Sequence, residues 1–114
     1  MRNKNEFGNA WYAWQHLPEP IENFRGRRYD APSYRLEYAI DHLASHVYSL
    51  GSGFIARKDW YYRSLASDDL KELEDISSQL ENSEVAEDQK EVFRQYIEGT
   101  RILLSTLISN DKEN

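Results

Sequence analysis

The chain has 114 residues, of which 39 % are apolar and 30 % are charged, and its formal net charge is −6. This length suits a single domain, which we predict over residues 1–114 with frayed tails at 1–6 and 110–114. The absence of cysteine excludes disulfides, thiolate metal sites and cysteine nucleophiles. No apolar run approaches the roughly 18 residues of a membrane span, and no signal peptide is recognisable, so we expect a cytoplasmic protein without membrane contact.

The charge is unevenly distributed along the chain. Residues 1–63 contain nine basic and seven acidic side chains, whereas residues 64–114 contain five basic and thirteen acidic ones. The acidic half either solvates exposed helix faces or meets a basic partner.

The first predicted element is a short helix over Phe7–Leu17. Its aromatic residues recur at helical steps, and the prolines that follow end it because proline cannot continue a helix. Trp11 and Trp14 either clamp this helix onto the core or form an aromatic anchor for a partner, and we retain both as candidate binding residues.

An irregular segment, residues 19–32, follows this helix and contains Arg25, Arg27 and Arg28. Guanidinium groups can grip phosphates or carboxylates because they offer a fork of donors. A nucleic-acid reader would carry more basic residues, so we expect no nucleic-acid partner. The acidic half of the chain, within the fold or across a dimer, is the expected salt-bridge partner of these arginines.

The main helix is predicted from Ser33, which can act as its N-cap, to Leu50, with Gly51 as its stop. Its apolar residues alternate at four- and three-residue steps and therefore form one stripe along the helix. The members of this stripe are Leu36, Ile40, Leu43, Val47 and Leu50.

A further helical segment is predicted over residues 54–66, and a helix start at Ser67, with Asp68 and Asp69 in its first turn. Whether residues 54–80 form one helix or two is left open. Three consecutive aromatic residues begin at Trp60 and cannot all face inward, so Trp60 is a candidate binding residue.

The last helix is predicted to start at Ser83. Its apolar residues span an arc wider than the usual single-partner stripe, so it should contact several helices or a second copy of the chain. Gly99 lies at the edge of that arc and would permit close approach of another helix. The chain as a whole therefore predicts an all-α bundle of four to five helices, with an irregular Pro- and Arg-containing loop after the first, and a homodimer is a reasonable assembly.

The chemistry that the sequence offers is limited. His42 and His46 lie one helical turn apart and are weak candidates for a metal site, which would need a third ligand. Phosphate-binding loops and hydrolase motifs are absent, and we predict no cofactor and no bound metal.

Arg35 and His42 enclose six residues, as R-LEYAID-H. This spacing resembles the Arg, four to six residues, His signature of HEPN-type ribonucleases, which are small all-α dimers. The resemblance implies that His42 acts as the acid–base residue and that Arg35 steadies the phosphate. It covers eight positions, and Leu36 stands where that family usually has a polar residue.

The sequence favours a small acidic, non-enzymatic binding protein, an accessory, adaptor or inhibitor that acts by protein–protein interaction. Composition gives an analogy with bacterial or phage immunity and anti-defence regulators. Two alternatives stay open, namely a HEPN-like ribonuclease that uses Arg35 and His42, and a structural subunit of a larger complex. The predicted contact residues are Trp11, Trp14, Arg25, Arg27, Arg28 and Trp60.

Overall fold

The structure, a computed structural model, describes residues 4–57 and 61–112. These residues form five helices and no strand, which confirms the all-α prediction. The helices are α1 (Lys4–Gln15), α2 (Glu22–Arg25), α3 (Tyr34–Arg57), α4 (Tyr61–Glu81) and α5 (Glu87–Lys112). The predicted irregular segment is confirmed between α1 and α3, where the four-residue α2 interrupts it.

The helices pack as an elongated bundle of 47 × 23 × 20 Å. Helix α4 packs on both α3 and α5, α1 packs on α5, and α2 packs on α3. Ring contacts also join α1 to α3, since Phe7 and Phe54 lie 4.7 Å apart between centroids. None of the helices in the described residues is both long and apolar enough to cross a bilayer.

The core follows the predicted apolar stripes. All five stripe residues of α3 are buried, and α5 contributes buried residues from Phe93 to Leu107 that face more than one neighbour. The wide apolar arc of α5 is thus occupied within one chain, by α1, α3 and α4. Gly99 on α5 does permit close approach, because a Cβ there would lie 2.2 Å from the Leu17 side chain.

The predicted end of the main helix at Gly51 is wrong. Helix α3 continues through Gly51 to Arg57. Gly51 is buried, and a Cβ at this position would lie 2.0 Å from Cζ3 of Trp11. The glycine therefore serves close packing of the Trp11 ring rather than helix termination.

The predicted helix starts at Ser67 and Ser83 are also wrong. Helix α4 runs without a break from Tyr61 to Glu81, so Asp68 and Asp69 lie in its interior. Ser83 lies in the turn before α5, where its hydroxyl donates to the Leu80 carbonyl at 2.6 Å. The segment predicted over 54–66 is divided between α3 and α4, and its residues 58–60 lie outside the described residues.

The predicted tails are partly helical. Helix α1 begins at Lys4 and α5 extends to Lys112, so both enter the stretches predicted to be frayed. Residues 1–3, 113 and 114 lie outside the described part of the chain.

Candidate functional site

The short helix α2 and the turn after it hold the arginine cluster. The turn is a left-handed one, because Arg27 has a φ of 59°. The backbone N–H of Arg27 donates to the Phe24 carbonyl at 3.1 Å, and that of Arg28 donates to the Asn23 carbonyl at 3.0 Å. These bonds close the end of α2 and fix the direction in which the arginines leave it.

The other end of α2 is held by Glu37 of α3, whose carboxylate is buried. One of its oxygens accepts the backbone N–H groups of Asn23, at 2.6 Å, and Phe24, at 3.2 Å. These are donors of the first helical turn that would otherwise lack a partner. Glu37 therefore attaches α2, and the arginine turn behind it, to α3.

Ser33 and Asn23 complete this network. The Ser33 hydroxyl donates to the second carboxylate oxygen of Glu37 at 2.5 Å, and the Asn23 side-chain amide donates to the Ser33 hydroxyl at 2.7 Å. Ser33 does precede α3, as predicted for an N-cap, but its hydroxyl donates to Glu37 instead of capping a backbone group. Glu37 was not among the predicted site residues, because nothing in its sequence neighbourhood indicates this role.

Aromatic side chains cover the junction between this turn and α3. The Tyr29 and Tyr34 rings lie 5.0 Å apart, and Phe24 contacts Tyr34 at 5.6 Å and Tyr38 edge-on at 5.3 Å. Tyr29 is 69 % exposed and Tyr38 is 57 % exposed. Together with Arg35 they line a groove of about 480 Å³.

The charges beside this groove are unpaired. Arg27, Arg28 and Arg35 are exposed, and within the described residues none of them has a hydrogen bond or an ion pair through its guanidinium. Arg25 differs, since it pairs with Glu19 at 3.1 Å. We define the arginine–tyrosine surface by six residues, Arg27, Arg28, Tyr29, Tyr34, Arg35 and Tyr38.

The acidic half of the chain does not neutralise this surface. Among the described residues, its arginines bind carboxylates of the same half, since Arg94 binds Glu81 at 2.8 Å and Arg101 binds Glu74 at 2.6 Å, both between α5 and α4. The guanidiniums of the arginine–tyrosine surface are thus available to carboxylates or phosphates of another molecule.

The two candidate tryptophans within the described residues occupy different environments. Trp14 is 5 % exposed and its indole N–H donates to the Thr100 hydroxyl at 2.9 Å, so it packs inside the bundle. Trp11 is half-buried, over Gly51 and beside Tyr48. These contacts support the interpretation that Trp11 and Trp14 hold α1 on the core of the bundle. Trp60 lies outside the described residues.

The histidine flank of α3 holds one specific pair. Nδ1 of His46 lies 2.7 Å and 2.8 Å from the two carboxylate oxygens of Asp69 on α4. Burial raises the pKa of Asp69 above its ordinary value, and the hydrogen bond and charge of His46 partly offset that rise. Sequence reasoning missed Asp69, because a pair of acidic residues after a serine has the pattern of a helix start.

Arg35 and His42 lie on this same exposed flank, about 10 Å apart along the helix axis. In the described part of the chain neither side chain has a hydrogen bond or ion pair. No group of three or more His, Asp or Glu residues there could hold a metal ion, so His42 and His46 find no third ligand among the described residues.

Comparison with known proteins leaves the function to be argued from the site itself. No protein-family model matches the chain, and no curated protein and no solved structure matches it significantly. A helical bundle hosts many functions, so the fold alone does not select one.

Proposed function

We propose that this chain is a non-enzymatic binding protein that holds an acidic segment of another protein on its arginine–tyrosine surface. The observation that carries the proposal is the set of three exposed guanidiniums, Arg27, Arg28 and Arg35, that have no carboxylate partner in the described residues and stand beside exposed tyrosine rings. Arginine and tyrosine are the residue types that supply much of the binding energy at protein interfaces.

The electrostatics of the chain support an acidic partner. A protein of net charge −6 repels acidic molecules in general, so a local positive surface selects those that can align carboxylates with it. The tyrosines add apolar contact area at low cost in side-chain entropy. The groove of about 480 Å³ between Tyr29, Arg35 and Tyr38 could receive one side chain of such a segment.

The test is capture of the partner from host lysate on the immobilised protein, with identification by mass spectrometry. Arg35→Ala should weaken capture about tenfold. Lys71→Ala is the matched control, because Lys71 is also an exposed helical cation but lies on α4. Equal capture by the two variants, or capture that does not fall as salt is raised, would contradict the proposal.

A ribonuclease is the second candidate, and the shared exposed flank of Arg35 and His42 favours it. It predicts that the purified protein cleaves a single-stranded RNA and that His42→Ala abolishes this cleavage. Cleavage lost in that variant would overturn the binding-only proposal.

Several narrower statements stay predictions. They are an immunity or anti-defence role, which depends on an analogy of size and composition, a homodimer, a cytoplasmic location, and membership of a larger complex as a structural subunit. Fixed stoichiometry in co-purification would favour the last of these over a reversible adaptor or inhibitor.

A further inference from the structure

A second cleft lies on the opposite flank of α3 from Arg35 and His42. It has a volume of about 400 Å³ and lies where α1, α3 and α5 meet. Its lining includes the acidic residues Glu19 and Asp41, the basic residue Arg25, and the aromatic residues Trp14, Tyr48 and Tyr96. Aromatic faces and carboxylates both attract positive charge, the first through the ring quadrupole and the second by direct attraction.

Two polar groups of this cleft have no partner among the residues that the structure describes. Tyr96 is only 3 % exposed, lines the cleft, and has a hydroxyl group that makes no hydrogen bond within the described residues. A buried hydroxyl normally finds a partner, because leaving it unpaired costs free energy. The half-buried carboxylate of Asp41 likewise has no hydrogen bond or ion pair in the described part of the chain.

The electrostatic environment of Tyr96 agrees with this geometry. Burial raises the pKa of the Tyr96 hydroxyl above its usual value, and the nearby carboxylates of Glu19 and Asp41 raise it further. The phenol therefore stays neutral, and negative charge in the cleft comes from the two carboxylates.

We propose that this cleft binds an organic cation, an ammonium or guanidinium group carried on a carbon chain. Its charge would rest against Asp41 and Glu19, the Tyr96 hydroxyl would accept a hydrogen bond from it, and the carbon chain would lie against the Trp14 and Tyr48 rings. The cleft is several times larger than the ~30 Å³ share of a water molecule, so a carbon chain fits.

The donor set favours an organic cation over a metal ion. Calcium and magnesium take about six or more oxygen ligands, whereas aromatic rings form much of this lining. No group of His, Asp or Glu that could hold a metal occurs among the described residues. This cation site is independent of the binding function proposed above, because the arginine–tyrosine surface lies elsewhere on α3.

Arg25 also lines the cleft, and its positive charge competes with an entering cation for Glu19. Its guanidinium pairs with Glu19 at 3.1 Å, and both side chains are largely exposed. Such surface ion pairs contribute little and can exchange. An entering cation would therefore share Glu19 with Arg25 or displace it.

The test is an NMR titration of the ¹⁵N-labelled protein with n-butylammonium chloride, followed at the Trp14 indole N–H. Sodium chloride at equal ionic strength and n-butanol, which has the same carbon chain without charge, are the controls. We expect saturable shifts with butylammonium alone. Equal shifts with either control would overturn the proposal.

Two variants are expected to change butylammonium affinity in opposite directions. Asp41→Asn should weaken butylammonium binding at least about tenfold. Arg25→Ala should tighten binding about twofold to fivefold because it frees Glu19. Unchanged affinity in Asp41→Asn, with the fold intact by circular dichroism, would overturn the site, and weaker binding in Arg25→Ala would overturn the competition.

One further ligand separates a free small cation from a cationic side chain of a protein. It is a pentapeptide with one central lysine between glycines. Equal affinity for butylammonium and the pentapeptide would identify a free cation as the ligand. A pentapeptide affinity at least about tenfold higher would identify a polypeptide, since backbone contacts then add to the cation.

Discussion

The two flanks of α3 differ in what covers them. On one flank α1 and α2 pack against the helix. Glu37 accepts two backbone N–H groups of α2 there, and Gly51 receives the Trp11 ring of α1. Polar groups on this covered flank are mostly engaged in holding elements together.

The other flank is open. Arg35 and His42 are exposed and have no hydrogen bond or ion pair within the described residues, whereas His46 reaches α4 through Asp69. The difference indicates that substitutions on the covered flank change stability first, whereas those on the open flank change binding first. The exception is the cleft beside Asp41, where a polar group of the covered flank has no partner.

The largest change in stability that we predict is that of Glu37→Ala on the covered flank. The change removes the acceptor of three hydrogen bonds and leaves two N–H groups of α2 without a partner. We expect the free energy of unfolding to fall by about 3 kcal/mol in urea denaturation, since each of the two N–H groups left without a partner costs ~1–3 kcal/mol.

Glu72→Ala is the matched control for Glu37→Ala. Glu72 is an exposed helical glutamate without a hydrogen bond in the described residues, so its loss should change stability by less than about 0.5 kcal/mol. Similar losses of stability in the two variants would show that Glu37 does not hold α2. Substitutions on the covered flank would then not be more destabilising than those elsewhere.

Periodicity predicted the core of this fold but not these attachments. The α3 stripe was confirmed residue by residue because burial of one helix face imposes a repeat that the sequence displays. The bonds that Asn23 and Phe24 donate to Glu37 span 14 and 13 positions, and nothing in the local pattern indicates them. The same holds for His46 and Asp69, which are 23 positions apart.

Local rules also failed where tertiary contacts override them. Gly51 has the pattern of a helix stop, yet the helix continues because the missing Cβ makes room for Trp11. Arg27 and Arg28, which were predicted as contact residues, lie on the proposed surface. Arg35 of α3 also lies there, although the sequence suggested it only as a catalytic residue. The tyrosines beside them could not be chosen from the sequence, because eight tyrosines are present.

The next largest effect concerns Gly51→Ala on the covered flank. Alanine favours the helix by ~1 kcal/mol, but its Cβ would overlap the Trp11 ring. We expect a net loss of about 1–2 kcal/mol, typical of overpacking, measured by thermal and urea unfolding. Gly8→Ala is the control in α1, where a Cβ meets nothing within 4 Å, so it should stabilise the protein by ~0.5–1 kcal/mol. A gain of equal size at Gly51 would mean that Trp11 does not pack there.

A smaller, pH-dependent effect on stability is expected at Asp69 of α4, which contacts His46 on the open flank of α3. Its folded-state pKa is raised above the ordinary 3.8 mainly by burial. Between 3.8 and the folded-state value the folded protein binds more protons than the unfolded chain, so this group's contribution to stability falls as pH rises through that window. Asp69→Asn lacks the titration. The stability of the wild type relative to Asp69→Asn should therefore decrease as pH rises above 3.8.

Urea unfolding of both proteins between about pH 3 and pH 7 measures this difference. Carboxylates that titrate elsewhere, such as Glu74 beside Arg101, contribute equally to both proteins and cancel. A relative stability that increases with pH would instead mean that the His46 interaction outweighs burial at Asp69.

The smallest predicted effect is a gain in stability at the arginine turn. Arg27 adopts a left-handed φ of 59°, which costs a non-glycine residue ~1–2 kcal/mol and costs glycine nothing. Arg27→Gly should stabilise the protein by about 0.5 kcal/mol, because relief of strain exceeds the extra entropy of the unfolded glycine chain. Arg28→Gly, at the next position, has no such strain to relieve and should destabilise it slightly.

Binding measurements test whether the strained residue Arg27 is retained for function. Each variant removes one exposed guanidinium, so both should weaken capture of an acidic partner to a similar degree if the arginine–tyrosine surface is the contact site. Arg27→Gly would then be more stable and less active than the wild type, which is the pattern expected when a strained residue is retained for function. A variant that is more stable and captures the partner fully would remove Arg27 from the surface and leave Arg28 and Arg35 as its cations.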